Sequence, residues 1–255
     1  MNYIEEYYNN YDEDGRLSAK KRRAEYLTTM HYILKYLKPG YKILEIGAAT
    51  GRYSITLADM GYDVTSVEYV KSNLDILKNK IKPQHKITAY QGDARNLDFI
   101  ENDTYDMVLL LGPMYHLYND EDKCRAISEA LRAAKKGGII YSAYCNNDMS
   151  MHQLFVQHKI KDYLNYIDEE FHAKSIPKLV FELCRKEDVD RIMSRFNVAR
   201  LHYVGVDMLT NCFDEAFEEM TDDEFDLYMK YHFKICERAD MTGLSFHMLD
   251  IFRKE

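Results

Sequence analysis

Proline is scarce, with four in 255 residues, tryptophan is absent, and the sequence has no long apolar run. Its longest, MVLLLGPMY at 107–115, falls well short of the ~18 to 20 residues that a membrane helix needs. The N-terminus, MNYIEEYYNN, has neither a basic start nor an apolar stretch, so no signal peptide is expected and a cytoplasmic protein is. The five cysteines (Cys124, Cys145, Cys184, Cys212, Cys236) lie far apart without a CxxC pair, which argues against a zinc ribbon or a disulfide framework. The nine histidines lack ligand spacing such as HExxH, and no metal is expected. The dinucleotide fingerprint G-x-G-x-x-G is missing too, which disfavours a nicotinamide-dependent oxidoreductase. Internal repeats and low-complexity segments are absent.

What is present is globular composition, 46% hydrophobic and 30% charged, with a net charge of −8. The stretch 207–255 carries that whole excess, and CFDEAFEEMTDDEFD at 212–226 has eight carboxylates and no cation. A nucleic-acid-binding chain would show a basic face instead, and only Lys20, Lys21, Arg22 and Arg23 offer one. Nucleic acid is therefore disfavoured. The acidic stretch suits either a solvated helix end or attraction of a cationic small molecule.

From residue 41 onward, short β-branched runs alternate with helical stretches. Strands are expected at Lys42–Gly47, Asp63–Glu68, Lys86–Gln91, Tyr105–Leu111 and Gly138–Tyr144. Helices are expected between them, the one after the fourth strand running from about Asp120 to Lys135 and stopping at Gly137-Gly138. That rhythm indicates βαβ units and a parallel, doubly wound α/β sheet. Residues 147–180 break it with aromatics and histidines at helix-like spacing. A helix at 185–196 then feeds a strand at Arg200–Val206, and another at 221–239 starts from an N-cap at Thr221. Phe246–Arg253 closes the chain as a strand expected to run antiparallel at the sheet edge.

The chemistry-bearing segment is ILEIGAATGRYS, 43–54. Glu45 stands at the end of the first strand, and Gly47 and Gly51 let the backbone turn tightly and approach a ligand. Glu68 ends the second strand, where a carboxylate can accept from both hydroxyls of a ribose. Asp93 follows the third strand in QGDARNL, where it can accept from an adenine amine. Three acids at three successive strand ends face the carboxyl edge of the sheet, where ligands bind in such folds.

These segments resemble the class I S-adenosylmethionine-dependent methyltransferases: ILEIGAATG their first motif, VTSVEY the acidic second-strand motif, and QGDARNL the adenine motif. YDMVLLLGPMYHL and LRAAKKGGIIYSAY resemble the fourth-strand motif and the helix and strand after it, and GPMYHL is similar to a bacterial small-molecule-type subgroup. The resemblance implies a Rossmann-like fold with a mostly parallel seven-stranded sheet and an antiparallel last strand. The resemblance covers about 1–145 well and 185–255 more loosely, and 147–180 resembles no known segment; one domain is expected over 1–255, with an N-terminal helical lid (1–40), a cofactor half (41–146), a helical cap insert (147–184) and a C-terminal half (185–255). The implied cofactor is S-adenosyl-L-methionine, leaving as S-adenosyl-L-homocysteine, and the implied partner a small-molecule acceptor.

Carried over residue by residue, Glu45 approaches the methionine amino group, with Gly47, Ala48 and Gly51 along the methionine portion. Glu68 holds the ribose, Tyr69 covers the adenine, and Asp93 with Ala94 reads its amine. Leu111 and Gly112 flank the sulfonium, and Tyr11 and Arg16 reach the cofactor from the lid. The family often has glycine where Ala49 stands, so a methyl group there is expected to narrow the loop's approach. His116 and Tyr115 are the catalytic candidates, as base and orienting hydroxyl; His116 can instead simply hold its turn. His152, His158, Tyr163 and His172 are candidates for an acceptor pocket or for an exposed cap face. The competing readings are an RNA or protein methyltransferase, aminopropyl transfer on the same fold, and a non-catalytic adenosyl-binding regulator. Oligomeric state is left open.

Overall fold

The computed structural model describes residues 2–16 and 20–255, so the part of the expected lid at 17–19 lies outside the described residues, as does the side chain of Lys21. Three helices lead: α1 (Tyr3–Asn9), α2 (Glu13–Arg16) and α3 (Lys20–Tyr36). Then β1 (Lys42–Ile46), α4 (Arg52–Asp59), β2 (Asp63–Glu68), α5 (Lys71–Lys80), β3 (Lys86–Gln91), β4 (Tyr105–Leu110), α6 (Asp120–Ala133) and β5 (Ala134–Asn146) build the alternating half. The chain continues through α7 (Asn147–Val156), α8 (Ile160–Tyr163), β6 (Leu183–Cys184), α9 (Lys186–Met193), β7 (Val198–Gly205), α10 (Asp214–Glu219), α11 (Asp222–Ile235) and β8 (His247–Lys254).

The sheet order is β3-β2-β1-β4-β5-β8-β7, with β6 paired to the end of β5. β1 to β5 are mutually parallel, and β8 runs antiparallel to both of its neighbours. The sheet is Rossmann-like and mostly parallel, as expected. Among the described residues it has eight strands rather than seven, because the two-residue β6 adds one. The last strand is also not at the edge: β8 is inserted between β5 and β7, and its HMLDIF core is fully covered.

Alternation along the central strands explains the two layers. Leu44, Ile46, Val108 and Leu110 point to the face covered by α6 and α9, through Ala126, Ile127, Val189 and Ile192. Ile43, Met107 and Leu109 point to the opposite face, covered by α3 and α4 through Ile33, Tyr53 and Leu57. Both faces are dry, so β4 reads as a continuous apolar run.

α6 stops at Ala133, two residues short of the expected Lys135, and 134–138 open β5 instead. Gly137, at φ +79, absorbs a register shift against β4, and Lys135 pairs with Asp106 at 2.7 Å. Thr221 caps α11 as expected, in a capping box with Glu224, but the helix ends at Ile235. In the insert only α7 is a helix of length; short turns and loop fill the rest to β6. Lys20 and Arg23 lie beside Asp222, so part of the basic run faces acid. No helix among the described residues is long and apolar enough to cross a membrane.

Candidate functional site

A cavity of about 290 Å³ opens at the carboxyl ends of β1, β2, β4 and β5, roofed by α1 and α2. Its floor is the loop after β1, whose Gly47 and Ala48 amides donate to the Val67 carbonyl at 2.8 and 3.0 Å. Gly47 sits at φ +79, and a Cβ there would stand 2.6 Å from Cδ of Pro113, so glycine is required twice over. Gly51, at φ +85, caps α4 against Leu77 and is not part of the cavity wall, contrary to expectation. Ala49 adopts φ +47. Glycine would suit that position for its backbone conformation, a different reason from the crowding expected of the methyl group.

The three strand-end acids differ in environment. Glu45 is buried, accepts from the Ser54 hydroxyl, and burial pushes its carboxyl up to about 8. Glu68 is buried and accepts the Ala49 and Val70 amides, each at 2.7 Å. Burial outweighs those bonds and pushes it up to about 7. Asp93 is half-exposed and already gripped by Arg95, whose Nε donates at 3.0 and 3.1 Å while a further bond runs on to Asp122. Its carboxyl is held below the usual range by that guanidinium, against a burial effect that works the other way. The adenine-amine role expected of Asp93 thus requires sharing it with Arg95. Tyr69, Ala94, Leu111 and Gly112 all line the cavity.

Tyr11 does not line it; it stacks on Tyr7 at 5.2 Å, outside. Tyr8 is the lid tyrosine that does, and its hydroxyl lies 2.9 Å from Nε2 of His116. The other ring nitrogen of His116 lies 2.9 Å from the Val180 carbonyl, which also accepts from Tyr118 at 2.8 Å. Burial takes the imidazole down to about 4, so it is neutral at ordinary pH and a poor base. Val180 has φ +65 and ψ −45, and the Phe181 amide donates across it to Leu179 at 2.7 Å: a γ-turn of the strained, positive-φ kind. Phe181 then packs on Tyr7, Tyr115 and His116. None of His152, His158, Tyr163 and His172 lines the cavity; the insert instead backs its wall, with the Val180 carbonyl on His116 and Tyr118 and the Glu182 amide donating to the Tyr115 carbonyl at 2.8 Å.

Of the inner wall, Arg16 and Tyr115 were expected from the sequence, and both line the cavity; Glu25 and His247, which line it too, and Asp207 behind them were not. Arg16 forms a bidentate pair with Glu25 at 2.7 and 3.1 Å and also bonds Glu13 at 2.9 Å. His247, at the start of β8, lies 2.7 Å from Asp207 and 3.5 Å from Glu25. Those carboxylates outweigh burial and hold its imidazole up at about 10, and Glu25 is drawn down to about 2 by Arg16 and His247 despite its burial. Glu25, Asp207 and His247 have the makings of a metal cluster. Their atoms are already engaged, however, by Arg16, Ser245, Asn211 and the 246–247 amides, the pattern of an ion-pair network. Tyr115 lines the cavity beside them, its ring 6.4 Å from that of His247. No local spacing ties residues 25, 207 and 247 together; they come from α3, the turn after β7 and the start of β8 and meet only in the folded chain.

The donor set suits an adenosyl amino acid: carboxylates for an ammonium, ribose hydroxyls and an adenine amine, with an arginine toward the inner end. Residues 43–138 match a family model described as a methyltransferase domain. The chain is 25% identical over 219 residues to a glycine/sarcosine N-methyltransferase of Aphanothece halophytica, covering 78% of each. It is 33% identical over 100 residues to a demethylmenaquinone methyltransferase of Renibacterium salmoninarum, a match spanning only 39% of each. Its fold is similar to that of magnesium protoporphyrin IX methyltransferase from Synechocystis PCC 6803, solved with bound S-adenosylhomocysteine, with TM-score 0.59, 13% identity, and 96% and 88% of the two chains covered. The acids at the ends of β1, β2 and β3 fall inside the matched segment, and residues 43–138 carry an S-adenosylmethionine-dependent methyltransferase domain.

Proposed function

We propose that this chain transfers a methyl group from S-adenosylmethionine to a small-molecule nitrogen or oxygen acceptor, releasing S-adenosylhomocysteine. The observation that carries the reading is one cavity lined by Glu45, Glu68 and Asp93 on one side and by Tyr8, Tyr115, His116 and His247 on the other. Glu45 would hold the methionine ammonium, Glu68 the ribose and Asp93 with Ala94 the adenine edge. Tyr69 would lie against the adenine, and Arg16 would face the methionine carboxylate. When bound, the cofactor supplies an electrophilic methyl carbon on a positively charged sulfur.

The chain's own part is to align and to exclude water. Leu111 and Gly112 would flank the sulfonium, while α1 and α2 close the roof as a lid. The lid is tied down at several points: Asn9 to Ser72 at 2.7 Å, Asn2 to Tyr69 at 3.1 Å, and Asp14 to Lys80. A cavity of this size under the lid helices supports a small acceptor over a polymer. The N-methyltransferase relative supports an amine, and the menaquinone relative keeps a ring acceptor in view.

The test is transfer of a labelled methyl group from S-adenosylmethionine to small amines, phenols and quinols, with bulk RNA and protein as parallel acceptors. Label in a small molecule supports the reading. Label confined to RNA or protein overturns it.

A further inference from the structure

We propose that Tyr8 is the residue against which the acceptor docks, presenting oxygen lone pairs rather than its proton to the point of transfer, and that the acceptor is a neutral primary or secondary amine. This rests on the methyltransferase reading above. The direction of the hydrogen bonds fixes it. A carbonyl can only accept, so Nδ1 of His116 carries the proton that goes to Val180. Nε2 of the neutral ring is then an acceptor, and the Tyr8 hydroxyl must donate to it. Among the described residues Tyr8 Oη has no other hydrogen-bond partner, and it lines the cavity. Its lone pairs are therefore what a ligand meets.

Every bond in this chain points away from the cavity, from Tyr8 to His116 to Val180. It ends on a carbonyl that takes no proton, so it orients without serving as a base. The strained γ-turn at Val180 aims that carbonyl at His116, and His116 is a positioning residue. An alcohol needs its proton removed before it attacks; a neutral amine already has its lone pair. The amine N–H donates to Tyr8, its lone pair forms the bond to the methyl carbon, and the carbon–sulfur pair returns to sulfur. The N–H proton stays on nitrogen, and water takes it after the product leaves.

Sinefungin, in which an amine-bearing carbon replaces the methyl-bearing sulfonium, places N–H donors at the transfer position and needs no known acceptor. Calorimetry should show that Tyr8→Phe weakens sinefungin about tenfold while leaving S-adenosylhomocysteine within about twofold, the loss of one hydrogen bond to a charged group. His116→Phe should reproduce that loss, and His116→Gln, which can still accept from Tyr8 and donate to Val180, should largely restore affinity. Equal weakening of both ligands, no weakening, or a Gln variant as poor as Phe overturns the role of Tyr8. A wild-type protein that binds neither ligand overturns the methyltransferase reading itself. In the acceptor panel, methylation of primary or secondary amines supports the amine class, and methylation of alcohols alone overturns it.

Discussion

The Glu68 carboxylate bridges two backbone amides, those of Ala49 and Val70, at 2.7 Å each, and so holds the glycine loop closed with Ala49 at φ +47. A side chain expected to wait for a ribose is thus also a structural clamp, and the two roles meet on one carboxylate.

Ala49→Gly should stabilise the protein. The left-handed conformation costs an L-residue about 1 to 2 kcal/mol, and the added entropy of an unfolded glycine returns roughly 0.5 to 1 of it. A gain of up to about 1 kcal/mol in urea unfolding is expected, and a lower midpoint would contradict the strain argument.

Lys123 and Glu182 form a buried pair at 2.6 Å, with 4% and 7% of their side chains exposed, and Ser175 also donates to Glu182. This pair joins the insert to α6 beside the His116 turn. Glu182→Ala leaves a buried ammonium alone and should cost about 3 to 5 kcal/mol. The double replacement Lys123→Met with Glu182→Leu should recover most of that in urea unfolding. No recovery would show that the insert depends on the charges themselves.

Buried Glu45 and Glu68 keep their protons to about 8 and 7, whereas the unfolded chain loses them near 4.5. Between those values the folded state binds more protons, so their contribution to stability falls as pH rises from about 4.5 to 8. Cofactor binding runs the other way, because the ligand needs the ionised carboxylates. S-Adenosylhomocysteine affinity should rise from pH 6 to 8 and level off above, with proton release at pH 7 visible in calorimetry across buffers of different ionisation enthalpy. Glu45→Gln should reduce that release; a pH-independent affinity would refute the assignment.

The alternation of strands and helices, the glycine loop and the strand-end acids were legible because each is written in neighbouring residues. Thr221 as a cap and Glu68 as the last residue of β2 were readable for the same reason. What failed was long-range. Tyr11 and Tyr8 differ in sequence by three positions of one tyrosine-rich run, and only the docked helix decides which faces inward. Glu25, Asp207 and His247 meet because α3, the turn after β7 and the start of β8 converge, a juxtaposition no local pattern encodes. The α6 boundary moved because Gly137 serves a strand irregularity and not a helix stop.

The most direct measurement is calorimetric titration of the protein, and of Glu68→Ala, with S-adenosylmethionine, S-adenosylhomocysteine and NAD. The account predicts binding of both adenosyl ligands by the wild type, no binding of NAD, and at least about a tenfold loss of affinity when Glu68 is removed, its hydrogen bonds to charge being worth ~1.5 kcal/mol or more. Absence of binding, or affinity unchanged by Glu68→Ala, would contradict it.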